Sequence, residues 1–138
     1  MAIDAVRINE GGKERLSRLK KYTGLQNWNV LCRWALCRSL SDPTIPPRVD
    51  NKGEIGVEMT WKTFGGEYHE IYLALLKQRC RNDGIDIDDA SLSEQLWLHL
   101  HRGLNYLAAE QRVKNAYDSG RRSVRGLFEL AEEAMKAA

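Results

Sequence analysis

Long apolar runs are absent from this 138-residue sequence. No stretch approaches the roughly 18–20 consecutive apolar residues that a membrane-spanning helix needs. The N-terminus, MAIDAVRINEGG, has no signal-peptide apolar core, which predicts a protein that is not exported. Cysteine is scarce and odd in number, three in all. The spacing of Cys32 and Cys37 is neither C-x-x-C nor a usual zinc spacing, and Cys80 stands alone. All three read as packing residues of helices, which predicts a reducing, cytoplasmic setting. The sequence has no P-loop, Rossmann fingerprint, nucleophile elbow or H-E-x-x-H motif. Nothing assembles a nucleophile, a base and an oxyanion site. The expectation is a non-enzyme with no catalytic residue, no metal and no cofactor. Repeats and low-complexity tracts are also missing.

What is present is a composition able to build one domain, with 43% hydrophobic and 29% charged residues. The net charge of +2 hides an asymmetry. Residues 1–38 hold eight basic side chains against three acidic, and residues 39–110 hold seven against twelve. The positive field is therefore local to the N-terminal part, and such a patch attracts polyanions even on a nearly neutral protein.

The pattern along the chain is mainly helical. Residues 3–9, IDAVRIN, alternate Val6 and Ile8 with Arg7 and Asn9, which is strand periodicity. Gly11 and Gly12 close that segment. Residues 13–23 read as a helix with Leu16 and Leu19 inward and Tyr22 beside them, ended by Gly24. Asn27 or Asn29 caps a second helix to about Leu40, with Val30, Leu31, Trp34, Ala35, Cys37 and Leu40 inward. Asp42-Pro43 and Pro46-Pro47 stop it. EIGVEMTW, residues 54–61, is a weak strand. A third helix starts near Glu67 and turns Tyr68, Ile71, Tyr72, Leu75, Leu76 and Cys80 to the core. After the acidic connection NDGIDIDDA, Ser91 or Ser93 starts a fourth helix striped with Leu92, Leu96, Leu100, Leu104 and Leu107. SGRRS, residues 119–123, interrupts it, and Leu127, Leu130, Ala131 and Ala134 mark a last amphipathic helix. The fold class is thus mainly α: a short strand, a helix-turn-helix pair, two longer amphipathic helices and a C-terminal helix.

Three candidate sites stand out. The first is the basic helix. At 100° per residue Lys13, Ser17, Lys20 and Lys21 share one side, with Arg15 and Arg18 on a neighbouring stripe. A solvated face is the ordinary meaning of a charge run. Here Glu10 and Glu14 alone lie close enough to neutralise it, and Arg7 extends it. Lysine and arginine contacts to phosphates release counterions and need no particular base sequence. Arg7, Lys13, Arg15, Arg18, Lys20 and Lys21 are therefore the candidate DNA-binding residues. The second is His99-Leu100-His101-Arg102-Gly103. On a helix the two rings lie about 200° apart, which predicts a buried polar contact or a subunit interface and not a shared metal, with Gly103 allowing close helix packing. The third is Glu67 with Glu70, one helical turn apart. Acid–base or Mg²⁺ chemistry is conceivable there, but both lie in a first turn, where the helix dipole favours negative charge.

Two resemblances enter on these residues. A strand, a helix, the turn Thr23-Gly24-Leu25 and a second helix resemble the ribbon-helix-helix arrangement, in which two chains pair their strands and place them in the DNA major groove. TGLQNWNVLCRWALCRSLSDPTIPP (23–47), GGEYHEIYLALLKQR (65–79) and HLHRGLNYL (99–107), in that order and spacing, resemble the DndE family of bacterial DNA sulfur modification, or phosphorothioation. That resemblance covers residues 13–118 and implies one compact domain over 1–118, with 119–138 as a helical extension. It implies a helical homo-oligomer, a tetramer, without catalytic residues. It also implies binding of double-stranded DNA, preferably nicked, beside the other Dnd proteins. A ribbon-helix-helix regulator reading bases through Arg7 and Asn9, and an assembly adaptor whose basic face meets an acidic protein, are the alternatives.

Overall fold

A computed structural model describes residues 3–137; the side chains of residue 117, residues 120–130 and residue 137 lie outside that description. Strand β1 (Ala5–Asn9) buries Val6 and Ile8, as the alternation predicts. Its partner is β2 (Ile55–Thr60) of the same chain, antiparallel, with Arg7 opposite Glu58. A ribbon-helix-helix strand would instead pair with a second chain. The register shifts between Ile8 and Asn9, so Gly56 has no partner. A Cβ at Gly56 would lie 2.9 Å from the Asn9 carbonyl oxygen and 3.0 Å from the Glu10 Cα, so only glycine lets β2 pass beneath the next helix.

That helix, α1 (Glu10–Thr23), begins without a break after β1. The reading of Gly11-Gly12 as a separator is corrected. The Asn9 side chain caps the helix by accepting from the Gly12 N–H at 2.7 Å, and this favours helix over turn at both glycines. Gly24 ends α1 at φ 74° with its N–H on the Lys20 carbonyl, as expected of a left-handed terminator. Helix α2 (Trp28–Leu40) follows, with Leu31, Cys32, Ala35, Leu36 and Ser39 buried. Thr60 caps the short α3 (Trp61–Gly65), accepting from the Thr63 N–H at 3.1 Å. A 3-10 turn then leads into α4 (His69–Asn82), so the third helix starts in two steps. Asp88 caps α5 (Asp89–Ala137), its carboxylate accepting from the Ser91 N–H and hydroxyl. The expected interruption at residues 119–123 does not occur, because the backbone stays helical to Ala137. The side chains of Leu127 and Leu130 lie outside the described residues, and Ala131 and Ala134 are exposed.

The chain forms two compact units, residues 1–108 and 109–138. The first holds the core, where Leu16 and Leu19 of α1 meet Leu31, Cys32, Ala35 and Leu36 of α2 and Leu92, Leu96, Leu100 and Leu104 of α5. Trp61 and Phe64 close one side with ring centroids 5.0 Å apart, and Phe64 meets Tyr72 edge-on at 5.8 Å. Several expected core residues face outward instead: Trp34 is 51% exposed, Tyr68 59%, Ile71 56% and Leu75 45%. Tyr22 and Cys37 are exposed as well. On α4 the buried positions are Leu76 and Cys80, with Tyr72 and Leu73 packed beside them. The inward face is thus rotated from the one that the periodicity of apolar residues suggests. No helix of the described residues is long and apolar enough to cross a membrane.

Candidate nucleic-acid interface

Leu16 and Leu19 fasten one side of α1 to the core, which turns its charged positions to solvent. Lys13, Arg18 and Lys21 are exposed; Arg15 and Lys20 are half-buried. Arg18 pairs with Glu14 at 3.7 Å, one turn back. Lys20 lies over the Trp28 ring, 5.2 Å from its centroid, so part of its role is to join α1 to α2. Among the described residues Lys13, Arg15 and Lys21 form no ion pair. The fold therefore brings five of the six candidate cations onto one helix. Arg7 is set apart from them. It pairs with Glu58 across the strands at 3.3 Å and lines a different cleft with Lys52, Glu54 and Glu94. The Asn9 side chain is committed to its cap and to the Lys52 carbonyl at 2.9 Å, so neither strand residue stands free to read a base.

The orientation of α1 is fixed from α5. The Asn9 backbone N–H, at the β1–α1 junction, donates to His101 Nε2 at 3.1 Å. That bond requires a lone pair on Nε2. The ring proton is therefore on Nδ1, which donates to the Trp97 carbonyl at 2.7 Å. Trp97 stacks on the same ring at 3.7 Å. Burial pushes the His101 pKa down to about 4; the Trp97 carbonyl opposes this, and the charges of Arg15 and Lys52 add to it. His99 is buried as well, with Nδ1 2.8 Å from Ser39 Oγ, and burial followed by the charges of Arg79 and Arg102 lowers it to about 4. The two histidines thus serve separate buried polar contacts, as their spacing on a helix predicts. No group of three or more metal-ligating side chains occurs among the described residues.

The loop after α2 is held by two arginines that sequence reasoning did not single out for this purpose. Arg102 donates to Ser39 Oγ, the Ser39 carbonyl and the Thr44 carbonyl at 2.8–2.9 Å. Arg79 donates to the carbonyls of Leu40, Asp42 and Thr44 at 2.6–2.9 Å and to the Asp83 carboxylate. Tyr106 donates to Asp42 at 2.6 Å. Hydrogen bonds from Tyr106 and then Thr44 hold the Asp42 carboxyl well below the usual carboxylate range. The sequence signal was the turn residues Asp42-Pro43-Thr44: a turn leaves carbonyls without helix or strand partners, and those shielded from water need donors from elsewhere. The cysteines carry no activated thiol. Burial raises Cys32 to about 12 and also raises Cys80, and the neighbouring helix atoms that partly desolvate the otherwise exposed Cys37 raise it as well.

The model of the family described as DNA sulphur modification protein DndE matches residues 5–115. The chain belongs to the DndE family. The DndE match takes in both strands, α1 to α4 and the part of α5 that carries His99, His101 and Arg102. The fold is similar to the crystal structure of DndE from Escherichia coli B7A, described as involved in DNA phosphorothioation modification. The two share 22% identity with a TM-score of 0.64, over 75% of this chain and 95% of that one. It is also similar to a glycine-to-lysine mutant of DndE involved in DNA phosphorothioation, at 17% identity and TM-score 0.57 over the same shares. At these identities the likeness speaks for the DndE fold alone. No curated relative matches the chain.

Proposed function

We propose that this protein is a non-enzymatic, DNA-binding accessory subunit of the DNA phosphorothioation system, holding duplex DNA, preferentially nicked, through the basic face of α1. The observation that carries this reading is the placement of Lys13, Arg15 and Lys21 on one helix without carboxylate partners among the described residues. Such cations exchange their counterions for phosphates, so binding is electrostatic and weakly dependent on sequence. A nick removes stacking continuity and lets the duplex hinge, which a basic surface can follow. The working assembly is a cytoplasmic homo-oligomer, a tetramer as the family resemblance implies, acting beside other Dnd proteins. The outward apolar side chains Trp34, Tyr68, Ile71 and Leu75 support self-association.

The test is a gel-shift series on intact and nicked duplexes at two salt concentrations. Lys13→Glu with Lys21→Glu abolishes retention at physiological salt while the thermal melt stays that of the parent, because both side chains are exposed. Unchanged affinity sinks the assignment. Lys20 is left in place because it also braces Trp28.

A further inference from the structure

One cleft of the first unit shares only Arg15 with the reading above. It lies between α1, the loop after α2 and the middle of α5, and Arg15, Pro46, Pro47, Val49, Leu98 and Asn105 line it. Its charge sets it apart. Glu54 and Glu94 face the cleft beside β1, Asp50 and Glu94 face the one along the loop, and Glu67 faces the groove beside Trp34. No carboxylate lines this one. Arg102 reaches it, but its guanidinium is spent on loop oxygens and lies 3.8 Å from Asp42. Arg15 has no such partner among the described residues. Asn105 is exposed, and none of the hydrogen bonds of the described residues engages its side chain. Trp97 and Tyr106 also border the cleft, but both rings already have partners: Trp97 stacks on His101 with Lys52 near it, and Tyr106 has Arg38 and Arg102 near it. The apolar surface left to a ligand is that of Pro47, Val49 and their neighbours. A cation, an amide and an apolar wall suit a small anion with a flat, polar-edged body.

We propose that this cleft receives one unpaired nucleotide of the bound DNA, its phosphate on Arg15, its base against Pro47 and Val49, and Asn105 on the polar edge of the base. The proposal rests on the DNA-binding reading above and gives it a reason to favour broken duplex. Extruding a paired, stacked base costs a few kcal/mol, and least where the base is already unpaired. A strand end at a nick can enter at low cost, whereas intact duplex meets only the phosphate-binding face.

The experiment compares an intact duplex with a nicked duplex carrying a one-nucleotide 5′ flap, the flap base being 2-aminopurine. The parent protein binds the flapped duplex tighter by roughly tenfold and changes the aminopurine emission. Val49→Trp fills the cleft from an exposed loop position; it lowers affinity for the flapped duplex to that for the intact one, leaves the intact duplex unaffected and abolishes the emission change. Asn105→Ala, at an exposed position, reduces the preference in the same sense. Preference and emission change retained in both variants overturn the proposal. Equal binding of both duplexes by the parent protein also overturns it, while the α1 reading stands. Binding of neither duplex removes both.

Discussion

At the scale of single residues, His101 does the most with the least. Its ring accepts from the start of α1, donates to α5 and stacks on Trp97, and each bond fixes the neutral form. A second proton would have to sit on Nε2, facing the Asn9 N–H. His99 and His101 both have folded pKa values of about 4, below the ordinary 6.5. The unfolded chain therefore takes up protons first as pH falls, so stability is lost between about pH 6.5 and 4 and levels off below. Asp42, held low by Tyr106 and Thr44, adds a loss of the same sign at more acid pH, where its folded form is at last protonated. His101→Phe removes the acceptor and lowers stability at neutral pH by about 1–3 kcal/mol, the cost of an unsatisfied buried N–H. The same variant loses less than the parent between pH 6.5 and 4. Urea unfolding at several pH values reads both effects, and parallel acid limbs would contradict the lowered pKa of His101. The sequence placed the His99 and His101 rings about 200° apart around one helix. It could not show the partner of either ring, because Ser39 and Asn9 reach them only through tertiary packing.

At the scale of elements, legibility depended on whether a local signal had a rival. Val6 and Ile8 in β1, the Gly24 stop of α1 and the leucine stripe of α5 had none, and all three are as read. Gly11-Gly12 looked like a break because glycine has poor helix propensity, which the cap supplied by Asn9 outweighs. Trp34, Ile71 and Leu75 looked like core because periodicity reports apolar character and not what covers it. Gly103 marked a close helix packing in the sequence, and the structure shows that its partner is α2 and how tight the crossing is. A Cβ there would lie 1.8 Å from the Ala35 carbonyl oxygen, a backbone atom that cannot rotate away. Gly103→Ala therefore forces the helices apart and costs on the order of 3 kcal/mol, the upper end of the usual overpacking penalty. Thermal unfolding should show a large drop in Tm. A melt within a degree or two of the parent would mean that the two helices cross with more room than this.

At the scale of the whole molecule, the basic helix and the outward apolar face have to be considered together. One protomer offers Lys13, Arg15, Arg18, Lys20 and Lys21 on α1, and about −0.9 in the slope of log K against log salt is gained per phosphate neutralised. Full engagement of one helix thus gives a slope of roughly −4 to −5, and each further protomer on the same duplex steepens it. The local net charge would be a weak grip for a single small protein, so the proposed function depends on copy number. Trp34, Tyr68, Ile71 and Leu75 place an apolar area on the same unit. In the proposed oligomer its cover is a second copy, since chains that associate can hide such a surface from water on both sides. Ile71→Glu with Leu75→Glu, both at exposed positions, should leave each protomer folded and reduce the mass in light scattering to that of one chain. The salt slope of DNA binding should then fall toward the single-helix value, with α1 untouched. If the mass falls and the slope stays, a single protomer already makes every phosphate contact, and the oligomer serves assembly with other Dnd proteins instead of the hold on DNA.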